Sequence, residues 1–333
     1  MDSRIHFFSS LDVIPKKVDG ELLGIRGRQA NEFAELGFPI LPGFIINTQL
    51  ASQLDKVDIK KDVKSLLDKC ASIVGKKFGD PENPMLIKIV VSSNLAVSNY
   101  PTLHNFGLVR SVIPGFAKWV GETFAAHEVL FMVRGILKIE EQIASIVNDT
   151  EKLATYKDLL AKLAKEIDSE HPAKSALEYM DFYGPYVPAE FFDSADNQLM
   201  ITLRELSKLL SLDSQNDNDT ALMIQPMVYG NYGKDSCSGA FFSRNIVTGE
   251  KKLQGEFYRE KFNEIGATGQ DIDKIGPEHL KQLQKIAWTL EDKFKEIRQI
   301  RFTVEKGKLW LIEQRPVDQK STQADIKLLL DLT

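Results

Sequence analysis

The sequence predicts an α+β protein in which two mixed regions flank a purely helical stretch. Three patterns carry that expectation. A short, β-branched apolar run, MLIKIVV at residues 85–91, follows an amphipathic helical pattern at 57–74, so the first hundred residues mix helix and strand. Between 115 and about 171 the apolar side chains recur at helical spacing among charges. The last third alternates short strand-like runs with glycine- and asparagine-containing turns.

The elements follow in order. Residues 24–44, GIRGRQANEFAELGFPILPGF, read as a glycine loop, a helix that stops at Gly37, and a turn set by Pro39, Pro42 and Gly43. After the helical stretch, the turn-rich YGPYVP at 183–188 precedes an amphipathic helix near 198–212. The polar loop SLDSQNDNDT then marks a subdomain boundary. Strand-like runs ALMIQPMVYG, GAFFSRN and KKLQGEF follow, joined by NYGKDSCSG and IVTGE. Leu280, Leu283, Ala287, Leu290, Phe294 and Ile297 form one apolar stripe before a final hairpin, IRFTV and KLWLIEQ, turning at Glu305-Lys306-Gly307. A three-residue loop there with glycine left-handed would pair Gln299 with Glu313 and Arg301 with Leu311. Beyond Pro316 the chain is polar and ends in the locally helical LLLDLT.

With 333 residues, 43% of them apolar, the chain is long enough for two or three packed subdomains. Its 42 Lys plus Arg against 47 Asp plus Glu leave a net charge of -5, which disfavours nucleic acid and anionic membrane as partners. The N-terminus carries no basic segment followed by an apolar one, and no run of about 18 apolar residues occurs. A cytoplasmic protein is expected. Cys70 and Cys237 stand far apart and outside any metal-like spacing, so both read as spectator thiols.

Three separated segments together resemble the N-terminal domain of the pyruvate phosphate dikinase and phosphoenolpyruvate synthase family: residues 24–44, residues 224–257 (IQPMVYGNYGKDSCSGAFFSRNIVTGEKKLQGEF) and residues 301–315 (RFTVEKGKLWLIEQR). Singly each is weak; three in the family's order are strong. The resemblance implies an ATP-grasp fold, two α+β lobes that close on ATP. It assigns 1–108 and 196–235 to the first lobe, 109–195 to a helical insert, 236–316 to the second lobe and 317–333 to a tail.

It also implies a nucleotide site. Closely spaced glycines let backbone N–H groups approach phosphates, and Arg26 stands where the family has a lysine. Ser236, Ser238 and Gly239 fall in the loop that covers the phosphates. Gln225 and Met227 fall on the hinge strand that lines the adenine pocket, and Arg315 closes the final strand. Each residue also has a plain reading as a turn, strand or solvated side chain. The family's metal and phosphate ligands are replaced: its Asp, Glu and Gln are Gln299, Arg301 and Glu313, and its phosphate-contacting arginine falls at Val90, among Ile89 to Val91. The arginine- and glycine-rich continuation of that strand is absent. A guanidinium where a carboxylate should hold magnesium repels the ion. Glu313 still offers one oxygen, but a structural ion pair between Arg301 and Glu313 is the better expectation.

His6, His104, His127, His171 and His279 lie outside the family's phosphohistidine setting, and each reads as a surface or helix-face residue. The phosphohistidine and the pyruvate-binding barrel would therefore come from further domains or a partner protein. Three functions stand: a degenerate ATP-binding or regulatory module, a phosphotransferase half that needs such a partner, and a structural protein with a filled cleft. Any ATP binding is expected to be weak and largely independent of magnesium.

Overall fold

The computed structural model describes residues 2–94, 100–214, 219–262 and 267–332. The chain forms two compact units, one of Met1–Gly37 and Leu41–Met227, the other of Phe38–Ile40 and Val228–Thr333. Each is mixed α+β, the class the sequence predicts. No described helix is long and apolar enough to cross a membrane.

The first unit is built on β1 (Ile5–Phe8), β2 (Gly43–Ile46), β5 (Ile87–Ser93), β6 (Leu103–Phe106) and β7 (Thr220–Pro226), in the antiparallel order β1-β2-β7-β5-β6. The short β3 (Lys77–Phe78) and β4 (Pro84–Met85) form a separate parallel pair. Helix α1 (Gly24–Glu35) ends before Gly37, whose φ of 67° supplies the left-handed turn the sequence suggested. The single turn α2 (Thr48–Ala51) is capped by Asn47, and α3 (Lys60–Val74) closes on Gly75 at φ 75°. The helical stretch becomes α4 (Ile113–Val120), α5 (Glu122–Ile146), α6 (Thr150–Ile167) and α7 (Ala176–Tyr183), followed by α8 (Ala195–Leu212). No strand occurs among residues 115–171. Helix α5 is apolar on most of its circumference and buries Ala126, Val129, Val133, Ile136 and Leu137. Such a helix needs neighbours on every side. It packs on α6, α7, α8 and β6, so the helical stretch lies within this compact unit.

The second unit carries β8 (Cys237–Phe242), β9 (Gln254–Arg259), β10 (Gln270–Asp271), β11 (Arg298–Glu305) and β12 (Lys308–Pro316), in the antiparallel order β10-β9-β8-β11-β12. Helix α9 (Pro277–Phe294) buries Leu283, Ala287 and Leu290 of the expected stripe, with Ile286 beside them, while Ile297 lies beyond its end. The division at Met227 puts 228–235, expected in the first lobe, into this unit. The polar loop at 211–220 is not where the units part, and its residues 215–218 lie outside those described. Residues 95–99, on which the missing arginine- and glycine-rich continuation falls, also lie outside. The segment expected as a tail carries α10 (Thr322–Leu332), whose Ala324 and Leu328 pack against Ile297 and Val317.

Candidate functional site

In the first unit the start of α1 is closed by a side chain from β5. The first four N–H groups of a helix have no partner within it. Leu23, at the N-cap, provides none, and the Ser92 hydroxyl takes two: it accepts from the Arg26 N–H at 3.1 Å and the Gly27 N–H at 3.2 Å, and donates to the Leu23 carbonyl at 3.3 Å. Gly24 is required there, because its φ is 66° and a Cβ would lie 1.9 Å from the Ser92 carbonyl oxygen. A Cβ on Gly27 would meet Ile45 at 2.8 Å. Both glycines thus serve close packing, and the Arg26 side chain is exposed.

Along β5 the side chains of Lys88, Val90 and Ser92 alternate onto one sheet face, opposite Gln225, Met223 and Ala221 of β7. Ile89 to Val91 themselves carry no cation. The structure places one next to them, since half-buried Lys88 shares Val90's face and stands across from Gln225. The period-2 alternation of MLIKIVV is the signal in the sequence that sets Lys88 on Val90's face. Burial, then Lys88 and Arg134, press the His104 imidazole down to about 4. Gln225 is buried and donates through Nε2 to the Leu41 carbonyl at 3.1 Å. Met227 donates its N–H to the Leu86 carbonyl at 2.7 Å, and its own carbonyl accepts from the buried Lys76 ammonium at 3.1 Å.

In the second unit, the loop at 230–239 is pinned from within. Ser236 is buried; its hydroxyl donates to the Tyr232 carbonyl at 3.1 Å and accepts from the Lys306 N–H at 2.9 Å. The Ser238 hydroxyl donates to the Lys261 carbonyl at 2.9 Å. A Cβ on Gly239 would press to 2.6 Å of the Phe302 ring, so that glycine lets an aromatic side chain cross the sheet face.

The final hairpin differs from the expected register. Glu305 pairs with Lys308 across a two-residue loop in which Lys306 and Gly307 have φ of 49° and 79°. Positive φ at both positions marks the type I′ turn that suits the twist of paired strands. A bulge then shifts the register between Arg301 and Phe302, so Arg301 faces Glu313 directly and Gln299 faces Arg315. The Arg315 Nε donates to the Gln299 Oε1 at 2.6 Å. Since Arg301 also pairs with Ala240, and Ala240 with Glu256, one cross-strand row reads Glu256, Ala240, Arg301, Glu313. Ser238, Gln299 and Arg315 share its face. Glu256 was not singled out in the sequence, where nothing aligns it with residues so distant along the chain.

Two histidine expectations need correction: His6 and His104 lie in strands β1 and β6, half-buried. His127 sits on α5 with its ring nitrogens 3.1 and 2.8 Å from the carbonyls of Thr123 and Ser169, and His279 contacts the Gly307 carbonyl at 3.0 Å. Cys70 and Cys237 are buried thiols, pushed by burial up to about 12 and about 11. Among the described residues, no three His, Cys, Asp or Glu side chains are grouped to hold a metal ion.

No protein-family model matches the chain. It is 47% identical over 328 residues to pyruvate, phosphate dikinase of Treponema pallidum (strain Nichols), covering 98% of this chain and 36% of that protein. It is 28% identical over 342 residues to the chloroplastic pyruvate, phosphate dikinase of Mesembryanthemum crystallinum and 27% over 350 residues to the pyruvate, phosphate dikinase of Clostridium symbiosum, with 93% of this chain covered in each case. The chain spans 35% and 38% of those two proteins.

Proposed function

Taking the chain as a single domain homologous to about a third of pyruvate, phosphate dikinase, we propose that it is a nucleotide-binding module of ATP-grasp type that has given up metal-dependent phosphoryl transfer. The observation that carries this reading is the row in the second unit where Arg301 stands directly opposite Glu313, with Glu256 on the other side of Ala240. Phosphoryl transfer depends on magnesium and cations that neutralise the phosphates, and magnesium needs hard oxygen ligands. An arginine paired across the hairpin with Glu313 brings positive charge from the protein itself to where an ion would need carboxylate oxygens.

Retained affinity for ATP is supported by the first unit. Lys88 and Gln225 share one sheet face with Ser92, whose hydroxyl lies at the start of α1. The dipole of that helix favours an anion. The module would act through binding, within a longer protein or beside a partner that carries the remaining machinery.

One observation favours a second reading, a working phosphotransferase half: the 47% identity to a protein named as a dikinase. Incubation with γ-labelled ATP and magnesium separates the two. The proposal expects no labelled phosphate released or retained on the chain above a buffer control. Turnover that a chelator abolishes would establish the second reading instead.

A further inference from the structure

The IVTGE turn stood out in the sequence, yet the candidate site makes no use of it. In the structure it is a cradle for the C-terminal helix. Gly249 has φ 72°, and a Cβ there would lie 2.9 Å from both the Ala324 Cα and the Lys327 Cβ of α10. Only a glycine lets the turn and helix approach this closely. The same loop holds the start of α10: the Ser321 N–H donates to the Ile246 carbonyl at 2.9 Å, its hydroxyl donates to the Val247 carbonyl, and that hydroxyl accepts from the Ala324 N–H at 3.0 Å.

A buried charge fastens the other end. Arg244 is fully buried, which such a side chain tolerates only when its donors are met. It forks onto Glu291 of α9 at 2.9 and 2.8 Å, and its Nη1 donates to Asp331 of α10 at 2.8 Å and to the Gly249 carbonyl at 3.0 Å. Glu291 in turn accepts from the Ser243 hydroxyl at 2.7 Å, and that hydroxyl accepts from the Arg298 N–H at 3.0 Å, the first residue of β11. The chain of bonds runs Asp331, Arg244, Glu291, Ser243, Arg298. Gln299 and Arg301 follow on the same strand.

We propose that α10 is a clasp seated on the TGE turn, with Arg244 and Asp331 as its catch, and that its seating sets the order of the strand carrying Gln299 and Arg301. With Asp331 in place, every donor of the buried guanidinium that faces α10 is met. When the helix leaves, Arg244 opens to water, and its hold on Glu291, hence on Ser243 and the β11 amide, weakens. The inference uses bonds within the second unit and needs no nucleotide, so it stands or falls apart from the functional reading.

Hydrogen exchange on the full chain tests it, with Asp331→Ala removing the catch and Leu328→Ala loosening the seat without touching a charge. Asp331 is partly exposed, so its variant leaves the rest of the unit's core intact. Exchange should quicken about tenfold in the Asp331 variant, the worth of one charge-assisted bond, and at least as much in the Leu328 variant, which loses buried apolar contact, in peptides covering 322–332 and 298–302. Peptides covering 220–226 in the first unit serve as the unchanged reference. Faster exchange in α10 with β11 unchanged would overturn the coupling, and unchanged α10 would overturn the clasp itself.

Discussion

Ser92→Ala removes the hydroxyl that meets the Arg26 and Gly27 amides at the start of α1. The hydroxyl is fully buried and serves three groups, the N–H of Arg26 and Gly27 and the carbonyl of Leu23. Loss of a capping oxygen costs about 0.5 to 2 kcal/mol, and a buried donor left unmet costs about 1 to 3 kcal/mol. Because water can reach the exposed side of a helix end, the lower part of the combined range applies, about 1 to 2 kcal/mol. Urea denaturation of the first unit should show this as a lower midpoint with unchanged slope. The same variant frees amides for an anion, so calorimetric titration with ATP should show tighter binding than in the unsubstituted chain. If stability fell but ATP affinity fell with it or stayed the same, the start of α1 would not be where phosphates bind. If stability did not change, Ser92 would not be the cap.

Glu128 is buried on α5, and burial, offset by its bond with Asn105, raises its carboxyl to about 8. A carboxyl raised in the folded state stabilises it fully below its ordinary value of 4.5, and stability falls as pH rises from there to about 8. Glu128→Gln should flatten that slope and gain about 3 kcal/mol at pH 7, measured by thermal or urea unfolding across pH; an unchanged pH profile would count against it. Arg301→Glu with Gln299→Asp should raise magnesium affinity in the presence of ATP, read by calorimetry, whereas no gain would mean the site was lost for other reasons. Gly239→Val, whose branched side chain must displace the Phe302 ring and the Glu256 carbonyl, should cost about 1 to 3 kcal/mol in urea, and a neutral result would refute the packing role of that glycine.

Where local chemistry decides structure, the sequence was legible. Gly24 and Gly37 bracket α1, the helical spacing of 115–171 became helices, and the α9 stripe is buried, because each rests on residues a few positions apart. Legibility failed where distant residues decide. That Ser92 caps a helix more than sixty positions earlier depends on how β5 lies against α1. The bulge after Arg301 leaves no mark in composition, and Lys306 in a left-handed conformation is a choice the hairpin twist imposes on a residue that rarely adopts it. Arg244 read as one charge in a β-rich stretch, since its partners Glu291 and Asp331 lie on two later helices. In the candidate site, Gln299, Arg301 and Glu313 could be named from the sequence, but the row that sets Arg301 between Glu313 and Glu256 was visible only once four strands were in register.

The central claim is that this chain still meets ATP but no longer needs magnesium to do so. Titration calorimetry with ATP, run once with magnesium and once with a chelator, tests it most directly. The account predicts weak binding of similar affinity in both. Affinity that rises strongly with magnesium would contradict it by restoring a metal site, and absence of heat in both would contradict it by leaving no nucleotide site at all.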